Sequence, residues 1–345
     1  MNRNIKIIDL FAGIGGIRLG FENASRNKID CVFTSEWDKY SKETYQANYS
    51  NEEVFGDITQ IDENEVPKHD VLLAGFPCQP FSQAGLKKGF SDTRGTLFFD
   101  IERLLIHRKP QAFLLENVKQ LRGHDKGRTL KTILSHLKKI GYNNVQYEVL
   151  RARDFGLPQN RERIYIVGFL DDTIKFEFPK PTFEPTRVGD ILEKNVEEKY
   201  TISDKLWAGH QRRKRENKLK GKGFGYGMVT ENSEYTNTLS ARYYKDGSEV
   251  LIQQKDKNPR KLTPRECARL QGFPDTFKIP VSNTQAYRQF GNSVPVKVVE
   301  KVAEQMIKHL KLEVKKEKAQ QVTTYIKNSG LRSNSKISVQ NEVSI

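Results

Sequence analysis

Cys78 stands in the stretch Asp70-Val-Leu-Leu-Ala-Gly75-Phe-Pro-Cys78-Gln-Pro80-Phe-Ser82, an apolar run that ends in a thiol held between two prolines. The first half has the pattern of a buried parallel strand. Pro77 and Pro80 each remove a ladder donor and fix φ, so the chain must leave the sheet there, with Cys78 at a rigid exit. Ligands of open α/β sheets sit at the carboxyl ends of strands, which suits a nucleophile, whereas a lone cysteine is otherwise most often a buried structural thiol. Two further groups stand at strand ends. Glu116 follows the apolar run from Ala112 to Leu115, and Gln159-Asn-Arg161-Glu-Arg163 precedes the run Ile164 to Phe169. On a strand Gln159, Arg161 and Arg163 share one face, which is either a solvated edge or a row facing an anion.

The elements that must position these groups read as alternating strands and helices. Ile5 to Leu10 is a strand, Phe11-Ala-Gly13-Ile-Gly15-Gly16 a glycine-rich turn, and Ile17 to Phe21 the start of a helix. Such a unit lets a ligand approach the backbone near a helix N-terminus. A dinucleotide fingerprint wants glycine where the chain has Arg18, so a cofactor without a pyrophosphate fits better than a nicotinamide. The second strand, Asp30 to Ser35, ends in Glu36-Trp37-Asp38. A carboxylate about 20 positions beyond the glycine turn is where nucleoside binders meet ribose hydroxyls, and Trp37 can stack on a base. Asp38 also reads as the cap of a helix from Lys39 to Asn48. Asp57, after Val54-Phe55-Gly56, adds an acceptor for an exocyclic amine. Together these strand ends describe a nucleoside pocket.

The 345-residue chain has a net charge of +15 and a pI near 9.5, which points to a polyanionic partner through counterion release. Cys31, Cys78 and Cys267 are widely spaced, giving no disulfide framework and no metal site, as suits a reducing cytoplasm. No apolar run approaches about 20 residues, so no membrane span is expected. Gln83 to Thr96, with Lys87, Lys88 and Arg94 among glycines, reads as a lid whose cations face phosphates. After the connector at Pro179, Pro181 and Pro185 the alternating pattern stops. A small β-rich, Gly- and Tyr-containing module follows, with the basic run Arg212-Arg213-Lys-Arg215 to Lys222. Helical patterns return at Thr263-Pro-Arg-Glu266, a capping box, and continue to His309; beyond about Leu312 the composition is that of a disordered tail.

These segments resemble the DNA cytosine methyltransferases that act on carbon 5, over roughly Ile5 to Lys308. Asp9-Leu-Phe-Ala-Gly-Ile-Gly-Gly16, Glu36, Asp57, Gly75-Phe-Pro-Cys-Gln-Pro-Phe-Ser82, Glu116-Asn-Val118, Gln159-x-Arg161-x-Arg163, Leu262 to Pro274 and Gly291-Asn-Ser-Val-Pro295 stand in the family's order. The resemblance implies an α/β fold, the Rossmann-like S-adenosylmethionine-dependent methyltransferase fold, with a mostly parallel doubly wound sheet and a smaller β-rich target-recognition domain. Residues 1–185 would form the first part of the catalytic domain, 186–282 the recognition domain, and 283–311 the helices that complete the catalytic domain. Residues 312–345 would be the tail.

By the same resemblance Cys78 is the nucleophile that adds to carbon 6 of a flipped-out cytosine. Glu116 protonates ring nitrogen 3, Arg163 holds oxygen 2, and Arg161 adds positive charge. The cofactor is S-adenosyl-L-methionine, released as S-adenosyl-L-homocysteine. Phe11, Gly13 and Gly15 lie around its methionine part, Glu36 at the ribose and Trp37 and Asp57 at the adenine, while Pro77, Leu97, Asn292 and Ser293 line the rest. Ser82, Gln83, Lys87, Lys88, Arg94, Arg212, Arg213, Arg242 and Tyr243 are the candidate DNA contacts, with Arg242 the candidate for guanine. The segments Gly223 to Met228 and Thr238 to Glu249 look like those of bacterial enzymes that methylate the inner cytosine of CCWGG or CCNGG. The implied partner is double-stranded DNA. The implied setting is a bacterial cytoplasm and its nucleoid, with a monomeric enzyme that is either solitary or the modification half of a restriction-modification system whose endonuclease acts separately. The competing readings are a tRNA cytosine methyltransferase on the same scaffold and a catalytically silent DNA-binding homologue.

Overall fold

The computed structural model describes residues 3–49, 53–77 and 97–310. Its frame is a seven-stranded sheet of β1 (Ile5–Leu10), β2 (Ile29–Ser35), β3 (Val54–Phe55), β4 (Val71–Gly75), β5 (Ala112–Val118), β6 (Asn144–Arg151) and β7 (Glu162–Phe169). The spatial order is β3-β2-β1-β4-β5-β7-β6. β1 to β5 are mutually parallel, and β7 runs antiparallel to both neighbours. The apolar runs are continuous because both sheet faces are covered. The pleat sends Ile7, Val71, Leu73, Leu114 and Val167 into one core and Ile8, Leu72, Ala74, Leu115 and Ile166 into the other.

Four helices follow the early strands: α1 (Gly16–Ser25), α2 (Lys39–Asn48), α3 (Phe98–Arg108) and α4 (Arg128–Lys139). Ile17 and Phe21 of α1 pack on the first face, and Ile101, Leu104, Ile133 and Leu137 of α3 and α4 pack on the second. Asp38 caps α2 as expected, its carboxylate accepting from the Ser41 amide at 2.8 Å.

The smaller module contains α5 (Asp204–Leu219), α6 (Tyr243–Asp246), α7 (Pro264–Leu270) and a three-stranded sheet of β8 (Met228–Val229), β9 (Leu251–Ile252) and β10 (Arg260–Lys261). Each of these strands is two residues long, so loops and turns carry more of the module than the expected β-rich pattern allows. Its centre is the buried ion pair of Arg260 with Glu266 at 2.7 Å, and Glu266 also completes the capping box with Thr263.

Helix α8 (Asn283–Asn292) puts Ala286, Tyr287 and Phe290 into the same apolar cluster as Leu239, Tyr243, Leu262 and Phe273. An expected boundary between residues 282 and 283 therefore crosses one core. Helix α9 (residues 296–310) is different. Its Val298, Val299, Val302, Met306 and Leu310 cover the first face of the large sheet.

Candidate active site

Strand order reverses between β1 and β4, and a cavity of about 650 Å³ opens at the carboxyl ends of the strands there. The glycine turn forms one wall. Gly13 is in the left-handed region at φ +56°, and a Cβ on it would meet only open space. The turn is tied to β2 by the Ala12 amide on the Ser35 carbonyl at 3.1 Å and the Gly13 amide on Glu36 Oε2 at 2.7 Å. Glu36 Oε1 accepts from the Asp38 amide at 2.8 Å, so each oxygen keeps a lone pair for another donor. Burial raises the pKa of Glu36, and the backbone amides of Asp38 and Gly13 oppose that rise. Trp37 is 77% exposed at the rim, and Asp57 accepts from the Thr59 amide at 3.0 Å.

The opposite wall is built from the ends of β4 and β5. Glu116 pairs across to Gly75 in the parallel ladder, and Gly75 leaves its carboxylate room. Arg163, reached through the antiparallel pairing of β5 with β7, forms an ion pair with Glu116, its Nε 3.0 Å from Glu116 Oε1. Burial lifts the pKa of Glu116, while Arg163 and then Arg161 pull it back. Asn117, which carried no role in the sequence reading, donates Nδ2 to the Phe76 carbonyl at 2.9 Å. It thereby fixes the exit of β4 immediately before Pro77. A polar residue after a strand-end carboxylate was the only signal for it.

Phe11, Gly13, Glu36, Trp37, Asp57, Pro77, Leu97, Asn292 and Ser293 all line this cavity together with Glu116 and Arg163. Gly15 is not among the lining residues; at φ +80° its carbonyl accepts from the Tyr49 hydroxyl at 3.0 Å behind the turn. Cys78, Ser82, Gln83, Lys87, Lys88 and Arg94 lie outside the described residues, as does the tail from residue 311. Of the other thiols, Cys267 is buried in the small core, where desolvation holds its pKa well above the usual range, and Cys31 is half-buried beside Thr34. Neither lines the cavity. Among the described residues there is no metal-ligating cluster, and no helix is long and apolar enough to cross a membrane.

Several expected contacts have other roles in the structure. Strand β7 begins only at Glu162, so the shared-face pattern fails upstream of it. Arg161 is fully buried behind the cavity wall and donates to the carbonyls of Leu239 at 2.7 Å, Gly291 at 3.0 Å and Ser293. It is a positioning residue that ties α8 to the loop before α6. Gln159 accepts from the Leu239 amide at 2.9 Å and donates to the Leu270 carbonyl. Tyr243 is also fully buried, its hydroxyl donating to the Val250 carbonyl at 2.7 Å and accepting from the Leu262 amide, so it is a core residue and not a surface contact. Arg213 is held by Asp246 at 3.1 Å, whereas Arg212 and Arg242 are exposed. Arg18, which broke the dinucleotide pattern, does not line the cavity and lies over the Tyr49 ring, 4.0 Å from its centre.

An open, mostly parallel sheet with a reversed seventh strand and a ligand cavity at its switch point defines the Rossmann-like methyltransferase class. The fold of the Entamoeba histolytica methyltransferase EhMeth matches it with a TM-score of 0.73 at 21% identity, covering 90% of this chain and 99% of that one. Residues 5–308 match the family model for the C-5 cytosine-specific DNA methylase. The chain is 70% identical to the Type II methyltransferase M.NlaX of Neisseria lactamica over 87% of its own length and 96% of that protein, and 61% identical to M.SsoII of Shigella sonnei over 90% and 82%. The chain belongs to the C-5 cytosine-specific DNA methylase family.

Proposed function

We propose that this enzyme transfers a methyl group from S-adenosylmethionine to carbon 5 of a cytosine flipped out of double-stranded DNA, with the inner cytosine of CCNGG or CCWGG as its target. The observation that carries the reading is the meeting in one cavity of a nucleoside-binding wall, Gly13, Glu36, Trp37 and Asp57, with the Glu116–Arg163 pair and the chain exit that leads into Cys78. The cavity suits the cofactor: Glu36 keeps acceptor capacity for ribose hydroxyls, Trp37 offers an open ring face, and Gly13 leaves space where a side chain would intrude. When bound, the cofactor supplies a methyl group activated by its sulfonium.

The chain's own groups supply the rest. The Cys78 thiolate forms a bond to carbon 6 of the base, and the protonated carboxyl of Glu116 gives its proton to ring nitrogen 3, so the electron pair collects at carbon 5, which can then take the methyl group. A base, such as a water molecule from solvent, takes the carbon 5 proton, whose electron pair forms the carbon 5–carbon 6 double bond; the sulfur–carbon 6 bond breaks toward sulfur, and nitrogen 3 returns its proton to Glu116. Burial of Glu116 supports this role, because a raised pKa keeps a carboxyl able to donate. Arg163 would hold oxygen 2 of the base. Residues 1–185 with α9 act as the catalytic domain and the module from residue 186 reads DNA, with Arg242 toward a base edge and the exposed Arg212 toward phosphate.

Bisulfite sequencing of DNA from a methylation-free host expressing the chain tests both activity and target. Methylation at the inner cytosine of CCNGG or CCWGG is expected. Methylation confined to other contexts removes the target assignment, and none at all favours the RNA enzyme or the silent homologue. Cys78→Ser is expected to abolish methyl transfer and leave folding and cofactor binding nearly intact; turnover at the wild-type rate would sink the covalent step.

A further inference from the structure

Arg288 lies on α8, lines the cavity and is exposed, and its guanidinium does two things at once. It stacks over the Tyr244 ring at 4.6 Å and donates Nη2 to the Tyr244 hydroxyl at 3.2 Å. Tyr244 belongs to the module, between Arg242 and Lys245. Its hydroxyl is held below the usual tyrosine range by the bond from Arg288, and then by the charges of Arg288, Lys245 and Arg242. The charges of three cations therefore act on one half-buried ring. The acids of the same segment are engaged elsewhere: Asp246 holds Arg213, and Glu249 accepts from Ser240. The spacing is fixed by backbone contact. A Cβ on Gly291 would fall inside the backbone of Ser240 and Ala241, so α8 and the loop that carries Arg242 are seated directly on each other.

A stacked, planar cation held at the rim of a cavity, with two further cations beside it, has the chemistry of an oxyanion grip. Arg presents a rigid fork to phosphate, and stacking reduces the rotamer freedom it loses on binding. We propose that Arg288, stacked on Tyr244 and flanked by Arg242 and Lys245, grips the phosphodiester backbone of the DNA strand whose base enters the cavity. This rests on the DNA methyltransferase reading and adds to it a contact made from α8, outside the segment Gln83 to Thr96 and the module's basic run. The grip lies at the seam between cavity and module, where the strand must be held while its base is out of the stack.

The test uses the full-length protein with Arg288→Gln, Arg288→Lys and Lys245→Gln, checked for folding by circular dichroism. Binding of a fluorescent duplex containing CCAGG is followed by anisotropy over a range of salt, and binding of S-adenosylhomocysteine by calorimetry. Arg288→Gln is expected to weaken duplex binding about tenfold near 0.1 M salt and to make the log–log salt slope shallower by about one. S-adenosylhomocysteine affinity should stay within about twofold. Arg288→Lys should keep the slope and lose part of the affinity, since the charge stays but the fork and stacking go.

Wild-type duplex affinity and slope in Arg288→Gln would overturn the grip. So would a collapse of S-adenosylhomocysteine binding with duplex binding intact, which would make Arg288 a ligand of the cofactor's carboxylate. If Arg288→Gln does not fold, Lys245→Gln decides: an unchanged salt slope there removes the cluster. A wild-type protein that binds the duplex but methylates no DNA would overturn the methyltransferase reading while the slopes still decide the grip.

Discussion

Glu36 and Glu116 are buried carboxylates at the ends of parallel strands on opposite sides of the same cavity, and burial raises the pKa of both. What opposes that rise differs. Around Glu36 it is backbone, the amides of Asp38 and Gly13 at 2.8 and 2.7 Å. Around Glu116 it is side-chain charge, Arg163 at 3.0 Å and the buried Arg161 behind it. A carboxylate fixed by its own turn is a permanent acceptor. One set by desolvation against two guanidinium charges depends on groups that a base can meet, so we assign cofactor binding to one wall and proton transfer to the other.

The largest separation between the two should come from the amide variants. Glu116→Gln keeps the shape and a hydrogen-bond donor but cannot deliver a proton, and kcat is expected to fall about 10²–10⁴-fold with S-adenosylhomocysteine affinity nearly unchanged. Steady-state kinetics beside calorimetry checks this; an unchanged kcat would strip Glu116 of its proton. Glu36→Gln presents its amino group to one of the two amides it now accepts from, and weakens the acceptor for the ribose. A rise of about 10–100-fold in the cofactor KM, with kcat within a few-fold, is expected. If kcat falls as far as in Glu116→Gln, the division of labour is wrong.

A third variant sharpens the contrast. In Arg163→Gln the charge that pulls Glu116 down is gone, so its pKa must rise further. Activity that needs Glu116 protonated is lost on the alkaline side, and that limb of the kcat profile should move to higher pH, on a lower maximum because the base loses a contact. No substitution of a cation near Glu36 can do the same. A limb that stays in place would show that another group sets it.

The difference between these walls also marks what the sequence could reveal. The strands were legible because β1, β4 and β5 are continuous apolar runs with glycine, proline or acid at their ends, and the caps of α2 and α7 because Asp38 and Thr263–Glu266 act within a few residues. Glu36 was legible for the same local reason. Arg161, Tyr243 and the affiliation of α8 were not. Arg161 bonds Leu239 and Gly291 from far along the chain, Tyr243 closes on Leu262, and α8 shares the module's core, all through contacts no local pattern encodes. A basic residue in an alternating segment looks the same whether it faces an anion or ties loops together. What separates Arg163 from Arg161 is where β7 begins, and that is set by pairing with β5.

The smallest expected effect is on stability against pH, and it again divides the two carboxylates. A group whose pKa is higher in the folded state than in the unfolded chain binds its proton more tightly when folded, so its contribution is fully present below the ordinary glutamate value and is lost as pH rises through the folded value. The stability of the wild type relative to Glu116→Gln should therefore fall over that window and level off above it, and the comparison with Glu36→Gln should have the same sign. In an Arg163→Gln background the Glu116 window must extend to higher pH, because its folded value rises while the unfolded one does not. The Glu36 window must stay where it was, since backbone amides are untouched by the change. Urea denaturation at a series of pH values, for wild type, Glu116→Gln and Glu36→Gln and for the same three in the Arg163→Gln background, measures this. If both windows move together, the two carboxylates share one electrostatic field and their separate roles have to come from position alone.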